Sequence, residues 1–254
     1  YLRLEKIKKI IKNKNFYQLI LNCTGGNSWI SKNYFKNKSV SKKYNQSAIT
    51  TIIKHSKINN NIARQRFCKE GPLAILPLDT NKSAIVWSVK NNILLDNRQK
   101  IKKEFIFKLK NISSNFFLIK DISKPDLHEL NFSLSEKYFS NRILNLGDSL
   151  HKIHPLAGQG FNMIIRDLEI LEQILKSKID LGLDLGDTIA LNEFSERVKY
   201  KNFVFANSID LTHYIFSKKN TFFKKIRNFT LDQINQQTKV KNFFLTVADR
   251  GLRF

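Results

Sequence analysis

Apolar residues along this chain fall into three rhythms. In "NFYQLILNCTGGNSWI" an apolar run from Tyr17 to Asn22 stops at Gly25-Gly26, with Asn27 and Ser28 placed to cap the next element. A run bounded in this way predicts a buried strand that ends in a turn. Between residues 47 and 90 the rhythm changes to short β-branched stretches, "SAITTIIK", "NIARQRFC", "GPLAILPL" and "SAIVWSVK", separated by turn residues. Several short strands at this spacing predict an antiparallel sheet. Ile101, Phe105 and Leu109 then stand four apart, one apolar face of a helix over about 96–110, and "FFLIKDI" returns to strand.

The third rhythm begins in "NRILNLGDSLHKIHPLAGQGFNMIIRDLEIL", residues 141 to 171. Ile143 to Leu146 is strand-like and leads into Gly147-Asp148; further on, Ile164, Leu168, Leu171 and Leu175 share one helical face. Gly158 to Asn162 is therefore expected at a helix N-terminus. From about Thr188 the pattern is helical, with Phe194, Val198, Phe205 and Ile209 on one side. Neither an internal repeat nor a flexible linker interrupts the chain, so its domains are expected to interleave.

Composition narrows the classes. With 254 residues, 42% of them hydrophobic and 20 of them Phe, the chain can bury a real core, as a globular protein does and a disordered one does not. No apolar run approaches the roughly 18 residues of a membrane span, and the protein is expected to be soluble or peripheral. Two cysteines, Cys23 and Cys68, are too few for a disulfide framework or a four-cysteine zinc site, and suit a reducing compartment. The chain opens on Tyr1 and its single methionine is Met163, which sets the expectation of an N-terminally truncated protein.

A net charge of +23 raises nucleic acid or an anionic membrane as a partner. The lysines, however, spread through every region, loops such as "SKINNN" included, without zinc-finger spacing, a basic zipper or an RNA-binding aromatic motif. They read as generic surface residues, and no nucleic-acid partner is expected.

The stretch from 141 to 171 carries the chemistry. A helix N-terminus entered through glycines presents free N–H groups and the positive end of a dipole to a phosphate. A carboxylate at a strand's end, Asp148, can accept hydrogen bonds from sugar hydroxyls, and Pro155 stiffens the loop between. Turn and capping chemistry alone accounts for such a pattern as well. His151 and His154 stand three apart, but no third clustered ligand supports a metal, and a structural hydrogen bond or packing beside a cofactor is the favoured reading. Ser28 and Ser149 lack the Gly-x-Ser-x-Gly elbow of a hydrolase and read as caps. Gln65 and Phe67 share one strand face and Arg66 the other, facing ligand or solvent; Trp87 reads as core.

Taken whole, Gly147-Asp148, His151, Pro155, Gly158-Gln159-Gly160, Asn162 and Arg166-Asp167 resemble the second flavin-binding motif of the class A flavoprotein monooxygenases. Within that class the "HPLAGQGFN…RD" wording is similar to the hydroxylases of ubiquinone biosynthesis. The likeness covers most of the chain and loosens after about residue 185. It implies an α/β fold like that of para-hydroxybenzoate hydroxylase. On that reading 1–40 and 131–185 are parts of an incomplete FAD-binding domain, 41–130 is an antiparallel substrate-domain sheet with a helix, and 186–254 is a C-terminal helical region.

The resemblance also implies site roles: Gly147 and Asp148 at the FAD ribose, and Pro155, Gly158, Gln159, Gly160, Phe161 and Asn162 along the pyrophosphate and the flavin ring. It implies FAD as cofactor, NAD(P)H as electron donor, and O2 and a lipidic polyprenyl-phenol as substrates. Ubiquinone-biosynthesis proteins are implied as partners, and the location as cytoplasmic and peripheral on the inner membrane. No catalytic acid or base can be assigned. Three positions depart from the family pattern: the Gly-x-Gly-x-x-Gly fingerprint is absent, Thr24 stands in place of an acid before Gly25, and Ile164 replaces a small residue. Two alternatives stay open, a basic binding module for nucleic acid or a membrane surface, and a flavoprotein relative without activity, to which Thr24 points. The Phe-rich tail, with Phe216, Phe222, Phe223, Phe243 and Phe244, reads as helix packing or, beside Lys224, Lys225 and Arg227, as a lipid-facing surface.

Overall fold

A computed structural model describes residues 4–13, 17–26, 28–36, 39–91, 106–112, 116–217 and 236–250, with Thr221, Lys225 and Asn228. The chain divides into two compact units, one of residues 1–42 and 132–254, the other of 43–131.

The second unit is built on β2 (Ser39–His55), β3 (Arg64–Phe67), β4 (Pro72–Asp79), β5 (Lys82–Lys90), β6 (Ile119–Ile122) and β7 (Asp126–Ser135). Their order is β7-β2-β5-β4-β3, with β6 on the end of β2. β2, β5, β4 and β3 pair antiparallel, as expected, in a register that sets Ile49 opposite Trp87 and Ile75 opposite Ile85. Alternate residues Ile49 and Ile53, Leu73 and Ile75, Ile85, Trp87 and Val89 point to one face. There they form a core with Leu109 and Phe117. Trp87 is core, as its apolar neighbours suggested.

Two readings change. "SAITTIIK" is the second half of a single 17-residue strand, because the mostly polar residues 39–46 continue it N-terminally. The strand β7 has no counterpart in the expected elements, although Leu130, Phe132 and Leu134 alternate in it. The helix expected over 96–110 is described only for 106–112, where Leu109 is fully buried; Ile101 and Phe105 lie outside the described residues. Gln65, Arg66 and Phe67 are all exposed.

The first unit holds α1 (Leu4–Lys12), β1 (Ile20–Asn22), α2 (Trp29–Tyr34), β8 (Phe139–Ser140), β9 (Ile143–Asn145) and β10 (His151–Lys152). It also holds α3 (Gln159–Asp180), α4 (Thr188–Ser217) and α5 (Thr238–Arg250). β1 lies parallel to β9, Ile20 opposite Ile143 and Asn22 opposite Asn145, and β8 closes the other side of β9 antiparallel. All three residues of β9 are buried, as a strand covered on both faces must be. Ile143 packs with Ile11, Ile30 and Phe35, while Leu144 packs on the opposite side with Leu171, Ile174, Leu191, Phe194 and Val198.

The strand foreseen from Tyr17 begins at Ile20, since Tyr17 and Gln18 are exposed. The stripe foreseen on α3 is displaced. Its buried residues are Gln159, Met163, Asp167, Leu171 and Ile174, while Leu168 is exposed. A polar residue, Asp167, thus occupies the inward face, where apolar periodicity could not place it. α4 starts at Thr188 as read, with Phe194, Val198 and Phe205 buried. Phe222, Phe223, Lys224, Ile226 and Arg227 lie outside the described residues.

Candidate functional site

The C-terminal ends of the parallel strands β1 and β9 carry two turns that lie side by side. Asn22 and Asn145, at matched register and both buried, are joined by a 2.7 Å hydrogen bond from Asn22 Nδ2 to Asn145 Oδ1. Asn22 Oδ1 accepts in turn from the Thr24 hydroxyl at 2.6 Å, so the threonine that replaces an acid is engaged in holding its own turn. The backbone N–H of Gly25 donates to Ser149 Oγ at 2.8 Å, linking the first turn to the second. Ser149 is therefore a tie between turns and not a helix cap. Ser28 does cap: it precedes α2 and its Oγ accepts from the Ser31 N–H at 3.2 Å.

At the crossing only Gly25 needs glycine, for its backbone angle, while Gly26 sits at ordinary contact distance from the second turn. A Cβ on Gly26 would stand 3.6 Å from the Asp148 carbonyl oxygen, and Gly25 has a φ of +84° with open space beside it. On the other turn, Gly147 has a φ of +61° and opens the single 3-10 turn Gly147–Ser149 that comes after β9. The Ile164 side chain fills the space beside Gly147, so the bulky residue packs against the turn. This turn projects Asp148, whose side chain is exposed, beyond the end of the sheet. Asp148 thus presents its carboxylate at a parallel strand's end, where open α/β sheets bind ligands.

After β10 the chain passes His154 and Pro155 into a second 3-10 turn, Leu156–Gly158, and then into α3. Gly158 caps that helix in the left-handed region, with φ +68°, and is exposed; a methyl group placed on its Cα would meet nothing within 4 Å. No side chain caps the helix; the Gln159 N–H donates to the Leu156 carbonyl, and the backbone N–H groups of Gly160 to Asn162 are left without intrahelical acceptors. They and the dipole favour an anion at this end. Gln159 is buried and accepts at 3.3 Å from Asn162 Nδ2, whereas Phe161 is 68% exposed and Pro155 half-buried.

The histidines that raised a metal are used otherwise. His151 Nε2 lies 2.8 Å from Asp167 Oδ2, and both side chains are buried. Asn202 of α4 donates to both oxygens of the same carboxylate, at 3.0 and 3.2 Å, and the Tyr138 hydroxyl meets the Asn202 side chain. Burial raises the Tyr138 pKa further above its ordinary value, with the Asp167 charge adding to the rise. His154 stacks on His213 of α4 with ring centroids 4.1 Å apart. Burial first, and then the neighbouring His213, pulls the His154 pKa down to about 3. Arg166 spreads its guanidinium over the Phe205 ring at 4.1 Å. Sequence reasoning placed all of the loop residues but missed Asn202 and His213, which lie dozens of residues away with no motif around them.

The chain is similar to the ubiquinone biosynthesis monooxygenase COQ6, mitochondrial, of Dictyostelium discoideum, 28% identical over 91% of this chain and 55% of that protein. It is also similar to the ubiquinone hydroxylase UbiL of Rhodospirillum rubrum, 25% identical over 81% of this chain and 48% of that one. The chain spans about half the length of these curated relatives. Its fold is that of the p-nitrophenol 4-monooxygenase PnpA from Pseudomonas putida DLL-E4, with a TM-score of 0.69 over 93% of this chain and 60% of that one, at 14% identity. The FAD binding domain family matches residues 18–180, a span that takes in the turns after β1 and β9, the loop through Gly158 and the whole of α3, and the chain belongs to that family.

Proposed function

We propose that this chain is the flavin-ring-side and substrate-side portion of an FAD-dependent hydroxylase acting on a polyprenyl-phenol in ubiquinone biosynthesis. The observation that carries the reading is the pairing of an exposed carboxylate, Asp148, with an uncapped, glycine-entered helix N-terminus within one loop system. A dinucleotide offers the two complementary groups, ribose hydroxyls and a pyrophosphate. The open space beside Gly25 and Gly158 leaves room for it against the backbone. The names of the relatives support the substrate class.

In this reading Gly147 and Asp148 hold the ribose, with the carboxylate accepting from its hydroxyls. The N–H groups at Gly160, Phe161 and Asn162 face the pyrophosphate beside Gln159, whose own N–H is held by the Leu156 carbonyl, and Pro155 and Gly158 set the path of the backbone along the ring. FAD, when bound and reduced by NAD(P)H, supplies the activation of O2. The residues of this chain bind, orient and exclude water; none of them is assigned as a catalytic acid or base. A lipidic aromatic substrate, O2 and protein partners of ubiquinone biosynthesis belong to the same reading. So does a cytoplasmic position, peripheral on the inner membrane; no helix among the described residues is long and apolar enough to cross one.

The test is made on the whole polypeptide that carries this chain. It is expected to bind one FAD and to oxidise NAD(P)H faster when a polyprenyl-phenol is added, with a hydroxylated product by mass spectrometry. A polypeptide that takes up no flavin would overturn the reading; one that binds flavin but leaves the phenol unchanged would restrict it to cofactor binding.

A further inference from the structure

Two residues bracket the glycine loop. His151 lies in β10, just before the loop, and Asp167 lies two turns into α3, just after it. Their 2.8 Å contact closes the whole segment between them at its base. The same carboxylate is held from the far side by Asn202 of α4, and Asn202 by Tyr138. His151, Asp167, Asn202 and Tyr138 are all buried, so none of them is available to a ligand. Inside the bracket His154 stacks on His213 of α4, and the other ties are local: Leu156 N–H to the His154 carbonyl at 2.7 Å, Gln159 N–H to the Leu156 carbonyl, Asn162 to Gln159, and Ile153 packed beside Gly160.

A buried carboxylate that accepts from an imidazole and an amide is costly to assemble and stays only where its partners are fixed. α3 needs no such group to pack, since Met163, Leu171 and Ile174 already bury its face. What the network adds is a fixed separation between the end of β10, and hence the Asp148 turn, and the N-terminus of α3.

We propose that His151, Asp167 and Asn202 are positioning residues: a buried clamp that holds the glycine loop at the distance from Asp148 at which the ribose and the pyrophosphate of one dinucleotide can both be met. This rests on the reading of the loop as an FAD site. Interactions that orient a binding group from behind act through precision of placement, and loosening them weakens the site without touching the ligand.

The test uses the complete polypeptide and three proteins: wild type, His151→Leu and His151→Gln, whose amide can still donate to Asp167. Two measurements are made: FAD affinity by titration of apoprotein, and hydrogen exchange of residues 153–162 without flavin. His151→Leu is expected to raise the FAD Kd about tenfold or more and to speed exchange in 153–162 selectively, while His151→Gln recovers most of both. Wild-type FAD affinity in His151→Leu, or exchange that rises evenly over α3, α4 and the sheet, would overturn the clamp. Should His151→Leu fail to fold, Asn202→Leu replaces it, with the same expected and overturning results. A wild-type protein that binds no FAD sinks the reading of the site; unaltered loop exchange in the variant sinks the clamp alone.

Discussion

Asp148 and His154 stand six residues apart and meet opposite environments, which makes their substitutions separable. Asp148 is exposed within a 3-10 turn, and its removal leaves packing untouched, so Asp148→Ala is expected to keep wild-type stability within about 0.5 kcal/mol. If it holds ribose, the loss of a hydrogen bond to a charged acceptor costs about 1.5–3 kcal/mol of binding, roughly a 10- to 100-fold rise in the FAD Kd of the complete enzyme. His154 is fully buried against His213, so His154→Ala is expected to act on stability first and on flavin second. Titration of the two apoproteins, with their thermal midpoints, checks the ordering; equal flavin affinity in wild type and Asp148→Ala would remove the carboxylate from the site. Thr24 shows how a residue's neighbours settle its meaning. Its hydroxyl is engaged by Asn22, so the position that suggested lost activity serves to brace the turn.

Between elements, the stack of His154 on His213 joins the loop before α3 to α4. Asp210 and Lys42 are the charged groups facing it, paired with each other at 3.0 Å. Burial lowers the pKa of both imidazoles; Asp210 opposes the fall at His213 and Lys42 adds to it. His154 comes down to about 3 from an ordinary 6.5, so it is neutral in the fold and protonated in the unfolded chain anywhere between those values. In that window the unfolded chain binds more protons and stability must rise with pH. The contribution is complete above about pH 6.5 and falls as the pH drops toward 3, with a slope of at most about 1.4 kcal/mol per pH unit for each such group. Urea unfolding at pH 5 is therefore expected to begin at lower urea than at pH 7. His154→Phe, which keeps a ring against His213, should flatten that difference; a variant with the wild-type pH dependence would assign the slope to other groups.

Across the chain in full, the 254 residues contain no Gly-x-Gly-x-x-Gly, the feature that grips the adenosine-side phosphate in dinucleotide folds. Half the contacts cannot offset the full entropic cost of binding. This chain by itself is expected to purify without flavin, and a stoichiometric flavin spectrum from residues 1–254 would show that the fingerprint is dispensable. With a net charge of +23, and if the substrate is the lipid proposed above, peripheral attachment to an anionic membrane is expected through Phe222, Phe223 and Ile226 beside Lys224, Lys225 and Arg227. Each basic residue near such a surface contributes about 1 kcal/mol. Flotation of the complete enzyme with anionic vesicles should weaken when those three charges are neutralised, and unchanged flotation would assign attachment to another surface.

Local patterns were enough for a good part of this architecture. Chain-adjacent residues carried the antiparallel character of the sheet from β2 to β5, the buried Trp87, the Ser28 cap and the start of α4. The glycine entry to α3 and the strand before Asp148 were legible too, because turn glycines, β-branched runs and helical spacing act over a few residues. The remainder came from contacts made only in the folded chain. The polar half of β2 is strand because its neighbours complete its backbone hydrogen bonds, and Asp167 faces inward because His151 and Asn202 meet it there. Ser149 joins two turns because a parallel pairing brings residue 25 to residue 149. Each of these depends on a partner far away in the chain, and a buried polar group takes its meaning from the partner that satisfies it, which no local pattern records.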